Sequence, residues 1–154
     1  MSDPSQLTPK LGGIIFGLEA SDYYDAIDQM ANMLSDSLGA SDAMRISAAA
    51  IARESLACTY IGKQTAIPHA RLPNMDSFLV GLGFTAAPLL WGPDQAPVRL
   101  VMLSVVPAAA NMAYLGFMRS LMQALKDDAH AQALIHCDDE TKARAWLAQH
   151  LHLK

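Results

Sequence analysis

The residues of this chain best suited to chemistry lie around one histidine, His69. The preceding Pro68 fixes its own φ and biases the residue before it towards an extended conformation, so His69 follows a strand end at a set angle. Two arginines, Arg53 and Arg71, are available to it. A neutral imidazole nitrogen can attack a phosphoryl group while guanidinium groups neutralise the phosphoryl oxygens, provided that a hydrogen-bond acceptor holds the other ring nitrogen. These residues alone leave two interpretations open: a phosphoryl acceptor, or a loop histidine without a chemical task.

The motif around His69 is longer than these few residues. It starts with R-E at 53–54 and continues with T-Y-I-G-K-Q-T-A-I-P-H-A-R at 59–71. This pattern resembles the signature of the fructose/mannitol/nitrogen-regulatory type of enzyme IIA in bacterial phosphotransferase systems. The resemblance covers nearly the whole chain, because it extends through P-V-R-L-V-M-L-S-V-V-P at 97–107 and the leucine-spaced helix that follows.

The resemblance implies a function and a set of site residues. In that family the histidine after I-P accepts a phosphoryl group from a phosphorylated HPr-type carrier, so His69 is the expected acceptor and would form a phosphohistidine. Arg53 is expected beside it to stabilise the phosphate, with Arg71, Thr59 and Gly62 in supporting roles. The protein would then act as a transferase component without a cofactor. Its further partners would be an enzyme IIB for sugar transport, or a regulated transporter or kinase in nitrogen regulation.

Two departures from the family pattern bear on activity. The family usually reads G-S-T-G-I-G-x-G where this chain has A-C-T-Y-I-G-K-Q at 57–64, so three glycines are lost, which matters if one of them adopts a positive φ. The family commonly has a second histidine at the start of the long helix, where this chain has Tyr114. A tyrosine hydroxyl can donate a hydrogen bond but carries no positive charge near neutral pH. A second hypothesis therefore stands beside the phosphocarrier: a non-catalytic regulatory or interaction module on the same fold.

The remaining histidines and both cysteines are predicted to form no site. His150 and His152 are expected on the surface of a frayed C-terminal segment. Cys58 and Cys137 stand in no C-x-x-C pair and are expected to be buried free thiols. A cluster of His69 with His136 and Cys137 would match no known zinc spacing, so no metal is expected.

The composition is that of one compact globular domain. The chain has 154 residues, of which 52% are hydrophobic and 17% charged, and its formal net charge is −4. We therefore expect a single domain over 1–154, with a loose N-terminal lead-in at 1–11. No Lys/Arg cluster indicates a nucleic-acid partner. The N-terminus lacks the apolar stretch of a secretory signal, and the apolar segment 100–118 is broken by Pro107 and Asn111, so we expect a cytoplasmic protein without membrane insertion.

The apolar pattern predicts strands that alternate with helices. The predicted elements are a strand at 14–16, a helix capped by Ser21 and stopped at Gly39, a helix from a cap at Ser41 to about 54, strands at 77–84 and 98–106 with a loop or edge segment at 87–96, and helices at about 109–126, 129–136 and after a cap at Asp138 or Asp139. This order predicts an α/β fold in a single domain, with a mixed sheet flanked by helices on both faces.

Overall fold

The computed structural model of the protein describes residues 7–36 and 42–153. Within these ranges the predicted strands and helices are found, together with two short strands at 65–66 and 69–72 that were not predicted. The first strand begins at Lys10, so the expected loose lead-in at 1–11 and the predicted bounds 14–16 were wrong there. In chain order they are β1 (Lys10–Leu18), α1 (Tyr23–Ser35), α2 (Asp42–Leu56), β2 (Thr65–Ala66), β3 (His69–Leu72), β4 (Leu79–Trp91), β5 (Ala96–Pro107), α3 (Asn111–Lys126), α4 (Asp128–Ile135) and α5 (Glu140–Leu151).

The strands form one mixed sheet. Its spatial order is β1-β4-β5-β2, and β3 also pairs with β5. β1 runs parallel to β4, β4 and β5 are antiparallel, and both β2 and β3 run parallel to β5. Strand β5 is buried along most of its length, as is typical of a strand covered on both faces. The predicted mixed sheet is therefore confirmed.

Helices cover both faces of this sheet. Successive side chains of β5 point to opposite sides, so they enter two different cores. Val101 and Leu103 pack into a core that includes residues of α1 and α2. Leu100 and Met102 pack into a second core, which includes residues of α3, α4 and α5. The predicted arrangement of helices on both faces is confirmed, and each face has an apolar core of its own.

One edge of the sheet carries the histidine singled out above. β2 and β3 lie one after the other along β5, with Thr65 opposite Leu100 and His69 opposite Ser104. Between them the chain leaves regular pairing at 67–68, although the carbonyl of Pro68 still accepts the backbone N–H of Ser104 at 3.1 Å. Because proline has no N–H to donate, it suits this break between two short strands. His69 is consequently the first residue of β3.

Some predicted helix ends differ in the structure. Ser21 does not cap α1; the Asp22 carboxylate caps it by accepting the backbone N–H of Asp25 at 2.8 Å. Asp25 in turn accepts the backbone N–H of Ser21 at 2.9 Å, which completes a reciprocal cap. The predicted stop at Gly39 and cap at Ser41 lie outside the described residues. At the last helix Asp139 is the cap, one of the two candidates.

The segment 87–96 was expected to be a loop or edge segment, and its first half is a strand that pairs with β5 alone, since the pairing of β1 with β4 ends at Thr85. β4 continues to Trp91, paired with β5 through Leu89 opposite Val98 after an irregularity that follows Phe84. Antiparallel pairing in the hairpin outweighs the local preference of Pro88 and the exposed alanines, because it satisfies the backbone groups on both strands. The turn is restricted to the four residues 92–95.

The remaining cysteines and histidines also required corrections. Cys58 is exposed and Cys137 is half-buried, so the thiols are not both buried. His150 is not in a frayed segment: it belongs to α5, and its ring centroid lies 4.5 Å from those of His130 and Trp146. Within 7–36 and 42–153 no group of three or more His, Cys, Asp or Glu side chains could hold a metal ion. In the same ranges no helix is long and apolar enough to span a membrane.

Candidate functional site

The candidate site is centred on the half-buried ring of His69 at the start of β3. Its Nδ1 lies 3.1 Å from the hydroxyl oxygen of Tyr114, in the first turn of α3. The two rings are tilted, with their centroids 5.0 Å apart. Tyr114 is 8% exposed and also packs near Phe78. A hydrogen bond therefore joins two residues that are 45 positions apart in the sequence.

The surroundings of His69 favour its neutral form. Burial is the main cause that lowers the pKa of the imidazole, and the positive charges of Arg53 and Arg71 lower it further. A hydrogen bond to the backbone of Ile67 and the negative charge of Glu54 raise the pKa, without reversing the net shift. An imidazole that stays neutral at physiological pH keeps a lone pair available for attack on phosphorus.

Tyr114 supplies a neutral polar group to this site. Burial raises the pKa of its hydroxyl, and the charges of Arg53 and Arg71 oppose that effect. The hydroxyl therefore stays protonated at neutral pH and can either accept a hydrogen bond from the His69 ring or donate one to it. It lies within hydrogen-bond distance of the His69 ring itself.

Both arginines are held by neutral oxygen atoms. Arg53, in the last turn of α2, donates from Nη1 to the carbonyl of Ala57 at 2.8 Å. Arg71, two residues after His69 on β3, donates from Nη2 to Oδ1 of Asn111 at 2.7 Å. Neither guanidinium forms a salt bridge with a carboxylate in the described part of the chain. Their positive charges are therefore left for an incoming anion.

Next to Arg53 on α2 is a buried carboxylate, Glu54, which is 4% exposed. It accepts the backbone N–H and the hydroxyl of Thr59, each at 2.6 Å, and the indole N–H of Trp91 at 3.1 Å. Thr59 thus contacts Glu54, and its position is explained by this network. The sequence pointed to R-E at 53–54 as a motif but assigned Glu54 no role, because its partner Trp91 is 37 residues away.

The turn before β2 has an unusual backbone. Gly62, Lys63 and Gln64 all have positive φ, at 86°, 52° and 54°. Gln64 occupies the last of the lost glycine positions, so a residue with a side chain adopts a left-handed conformation there at some energetic cost. Its carbonyl accepts the backbone N–H groups of Arg99 and Leu100, at 2.8 and 3.1 Å. This turn aligns β2, and hence β3, against β5.

Large apolar side chains are exposed on the elements that carry the site. Leu56 follows Arg53 in the last turn of α2 and is 84% exposed. Met112 and Leu115 flank Tyr114 on α3 and are 67% and 49% exposed. Apolar side chains grouped on a surface are typical of protein–protein contacts.

The sequence of the chain matches one known protein family. Residues 10–150 match the family model described as "Phosphoenolpyruvate-dependent sugar phosphotransferase system, EIIA 2". The chain belongs to this EIIA family. The family relationship inferred from the motif around His69 is therefore confirmed, and so is the interpretation as an enzyme IIA-like protein.

A curated relative and two solved structures resemble this EIIA protein. The "Nitrogen regulatory protein" of Pseudomonas aeruginosa is 34% identical over 96 residues, which is 62% of this chain and 62% of that protein, less than two thirds of its length. The nitrogen regulatory protein IIA-Ntr of Neisseria meningitidis superposes with a TM-score of 0.76 at 22% identity, covering 89% of this chain and 95% of that one. The IIA mannitol protein of Escherichia coli gives 0.68 at 23%, covering 88% and 95%. At these identities the structures establish the shared fold.

The EIIA protein thus gathers most of the residues that the sequence nominated. His69, Arg53, Arg71 and Tyr114 act on one another, whereas Thr59 bonds Glu54, and Gly62 lies in the left-handed turn. Their roles in phosphoryl transfer stay predictions. Sequence reasoning missed Glu54 and Asn111, which are polar partners within the site. Their only signal was position: Glu54 beside Arg53, and Asn111 at the start of a helix.

Proposed function

We propose that this protein accepts a phosphoryl group on His69 from a phosphorylated HPr-type carrier in the cytoplasm. The observation that carries this proposal is the neutral His69 ring, which is held by the Tyr114 hydroxyl. Two arginines act on it, and neither has a carboxylate partner among the described residues. Membership of the EIIA family supports it, because that family is described as part of a phosphotransferase system.

The contact with Tyr114 suggests which ring nitrogen reacts. In the productive tautomer, Nδ1 of His69 donates its proton to the Tyr114 oxygen, and Nε2 presents its lone pair. Nε2 attacks phosphorus, and the new P–N bond forms as the P–N bond of the carrier breaks. The carrier ring, protonated on its second nitrogen, leaves as neutral imidazole. His69 keeps its Nδ1 proton, so its ring becomes positively charged beside the phosphoryl group.

The arginines complete this step. Arg53 and Arg71 lower the pKa of His69, so their charges act on the place where the phosphoryl group would be received. Their remaining N–H groups can donate to phosphoryl oxygens as negative charge concentrates there during transfer. Tyr114 adds no charge, so in this protein the positive groups at the site are the guanidinium groups.

The exposed apolar residues Leu56, Met112 and Leu115 support docking of a protein partner over His69. In Escherichia coli, a IIA mannitol protein forms a complex with phosphorylated enzyme IIB. The structure of that complex matches this chain with a TM-score of 0.72 at 21% identity over 88% of this chain. We propose that His69 either passes its phosphoryl group to such an enzyme IIB or keeps it as a regulatory mark on a transporter or kinase partner. The name of the Pseudomonas aeruginosa relative favours nitrogen regulation.

The test is phosphorylation in a reconstituted system. The purified protein is incubated with phosphoenolpyruvate, enzyme I and an HPr-type carrier, and its mass is measured. We expect the mass of one phosphate to be added and then lost in acid, because the P–N bond hydrolyses when the ring is protonated. His69→Gln should abolish the addition, and His136→Gln, which changes an exposed histidine just after α4, should not. Equal labelling of His69→Gln and wild type would contradict the proposal.

A second candidate function is a non-catalytic regulatory module. The observation that favours it is the pairing of Tyr114 with His69, since a neutral phenol stands where the resemblance leads us to expect a second imidazole. Such a module would bind its partner through Leu56, Met112 and Leu115 without forming phosphohistidine. The phosphocarrier function predicts that wild type is phosphorylated. The module is supported if several HPr-type carriers leave wild type unphosphorylated while the protein partner still binds the His69→Gln variant.

A further inference from the structure

We infer that Glu54 is a positioning residue for His69: its buried carboxylate holds Thr59, and through Thr59 the backbone that leads to His69. The inference rests on the proposed phosphorylation of His69. It assigns to Glu54 no contact with the phosphoryl group.

The carboxylate is buried without a cationic partner. Its donors are the backbone N–H and hydroxyl of Thr59 and the indole N–H of Trp91, and it takes part in no salt bridge among the described residues. Burial of a charge is costly, and well-packed apolar groups often stabilise a fold as well or better. Stability alone therefore gives no reason for a carboxylate here, which directs attention to the neighbouring site.

Hydrogen bonds lead from this carboxylate to the backbone just before His69. Glu54 holds Thr59, and the carbonyl of Thr59 accepts the backbone N–H of Ile67 at 3.1 Å. Ile67 lies two residues before His69, with only Pro68 between them. A displacement of Thr59 would therefore be transmitted through Ile67 to the ring that must line up with phosphorus.

The same carboxylate connects three parts of the site. It lies next to Arg53 on α2, it binds the segment before β2, and through Trp91 it reaches the end of β4. Arg53 adds a second link to that segment by donating to the carbonyl of Ala57 at 2.8 Å. The distance between the Arg53 guanidinium and the His69 ring therefore depends on the Glu54 network.

The charge of Glu54 has an effect of its own, separate from its geometry. It raises the pKa of His69 and so opposes Arg53 and Arg71, which lower it. An imidazole with a higher pKa is the better nucleophile as long as it stays neutral at the working pH. Glutamine in this position would keep the shape and one acceptor, would turn an N–H donor towards other donors, and would remove the charge.

The decisive experiment compares wild type, Glu54→Gln and Ser47→Ala by two measurements. Ser47 lies on the same helix, and its hydroxyl donates to Asp28 at 2.9 Å, so its loss removes a partly buried bond to a carboxylate outside the Glu54 network. NMR titration of the His69 ring should give a lower pKa in Glu54→Gln and an unchanged one in Ser47→Ala. Phosphorylation by an HPr-type carrier should slow by about tenfold or more in Glu54→Gln alone, because small misplacements of reacting groups carry large rate losses.

A second pair of variants keeps the test decisive if Glu54→Gln does not fold. Thr59→Val removes the hydroxyl that donates to Glu54 and keeps the volume, whereas Thr59→Ser keeps the donor. We expect slower phosphorylation in the first and a near-normal rate in the second. A wild-type pKa and rate in Glu54→Gln, or equal rates in the two Thr59 variants, would overturn the inference. The titration needs no phosphoryl donor, so an unlabelled wild type would contradict only the proposed function.

Discussion

At the scale of single residues, the hydroxyl of Tyr114 is the group whose removal is most informative. Tyr114→Phe leaves the packing near Phe78 in place and removes the partner of His69 Nδ1. We therefore expect the activation free energy of phosphorylation to rise by about 1 kcal/mol, which slows the reaction roughly fivefold. Tyr114→His would supply a second imidazole and should speed transfer. The measurement is the phosphorylation rate of wild type and both variants at one carrier concentration. Three equal non-zero rates would remove Tyr114 from the site.

A substitution of Arg53 can separate the effect of its positive charge from that of its paired hydrogen-bond donors. Arg53→Lys keeps the positive charge but loses the paired donors of the guanidinium, so we expect roughly a hundredfold slower phosphorylation with little change in melting temperature. Arg45→Lys is the matched control, since Arg45 lies on the same helix and bonds Asp42 and the carbonyl of Pro73 instead. If Arg53 serves only to hold Ala57, the melting temperature will fall and the rate will not.

At Gln64, the backbone conformation is expected to determine how a substitution changes the free energy of unfolding. Its φ of 54° is left-handed, so Gln64→Gly should relieve strain and stabilise the protein by about 0.5–1 kcal/mol after allowance for the flexibility of glycine. Gln123→Gly, inside α3, should destabilise it by about 1 kcal/mol. Urea denaturation measures both free energies of unfolding. Destabilisation of the same size in both variants would show that Gln64 is not strained.

At the scale of elements, the packing of α4 against α5 is expected to depend on pH. Burial, followed by the charge of His130, lowers the pKa of His150, and Asp127 opposes this shift. Since the folded pKa lies below the unfolded value of 6.5, the unfolded chain binds more protons below that pH. The stabilisation is therefore complete above about pH 6.5 and is lost as the pH falls through the lower folded value.

His69 titrates in the same direction, so a variant must isolate the contribution of α5. We expect the free energy of unfolding of His150→Gln to fall less steeply between pH 7 and 5 than that of wild type, as measured by urea denaturation. His152→Gln, which changes an exposed residue just after α5, should follow the wild-type curve. Parallel curves for wild type and His150→Gln would refute the role of this histidine.

At the scale of the whole molecule, the prediction of a single domain over 1–154 can be tested with the two tryptophans. Trp91 belongs to the core on the α1–α2 face and Trp146 to the core on the α3–α5 face. Both cores share β5, so we expect them to unfold together. In Trp91→Phe and Trp146→Phe, each with one tryptophan left, denaturation followed by fluorescence and by circular dichroism should coincide. Different denaturation midpoints by fluorescence and by circular dichroism in either variant would indicate that the two cores unfold independently.

The sequence by itself determined the features that depend on neighbours along the chain. The apolar periodicities of α1, α3 and α5 predict helices because residues three and four apart share a face. Pro68 sets the break that precedes His69, and the motif from Arg53 to Arg71 points to the family. The first cap was predicted one residue too early, at Ser21, because serine and aspartate both have side-chain oxygens that cap helices and only the backbone geometry selects Asp22.

The tertiary structure alone decided the features that join distant segments. Tyr114 meets His69 because α3 begins directly after β5, the strand on which β3 is registered. Glu54 meets Trp91 because β4 continues past Pro88 and carries the indole to the end of α2. Neither contact leaves a local trace, since a hydrogen bond between residues 37 or 45 positions apart depends on strand register and helix packing, which the whole chain determines together.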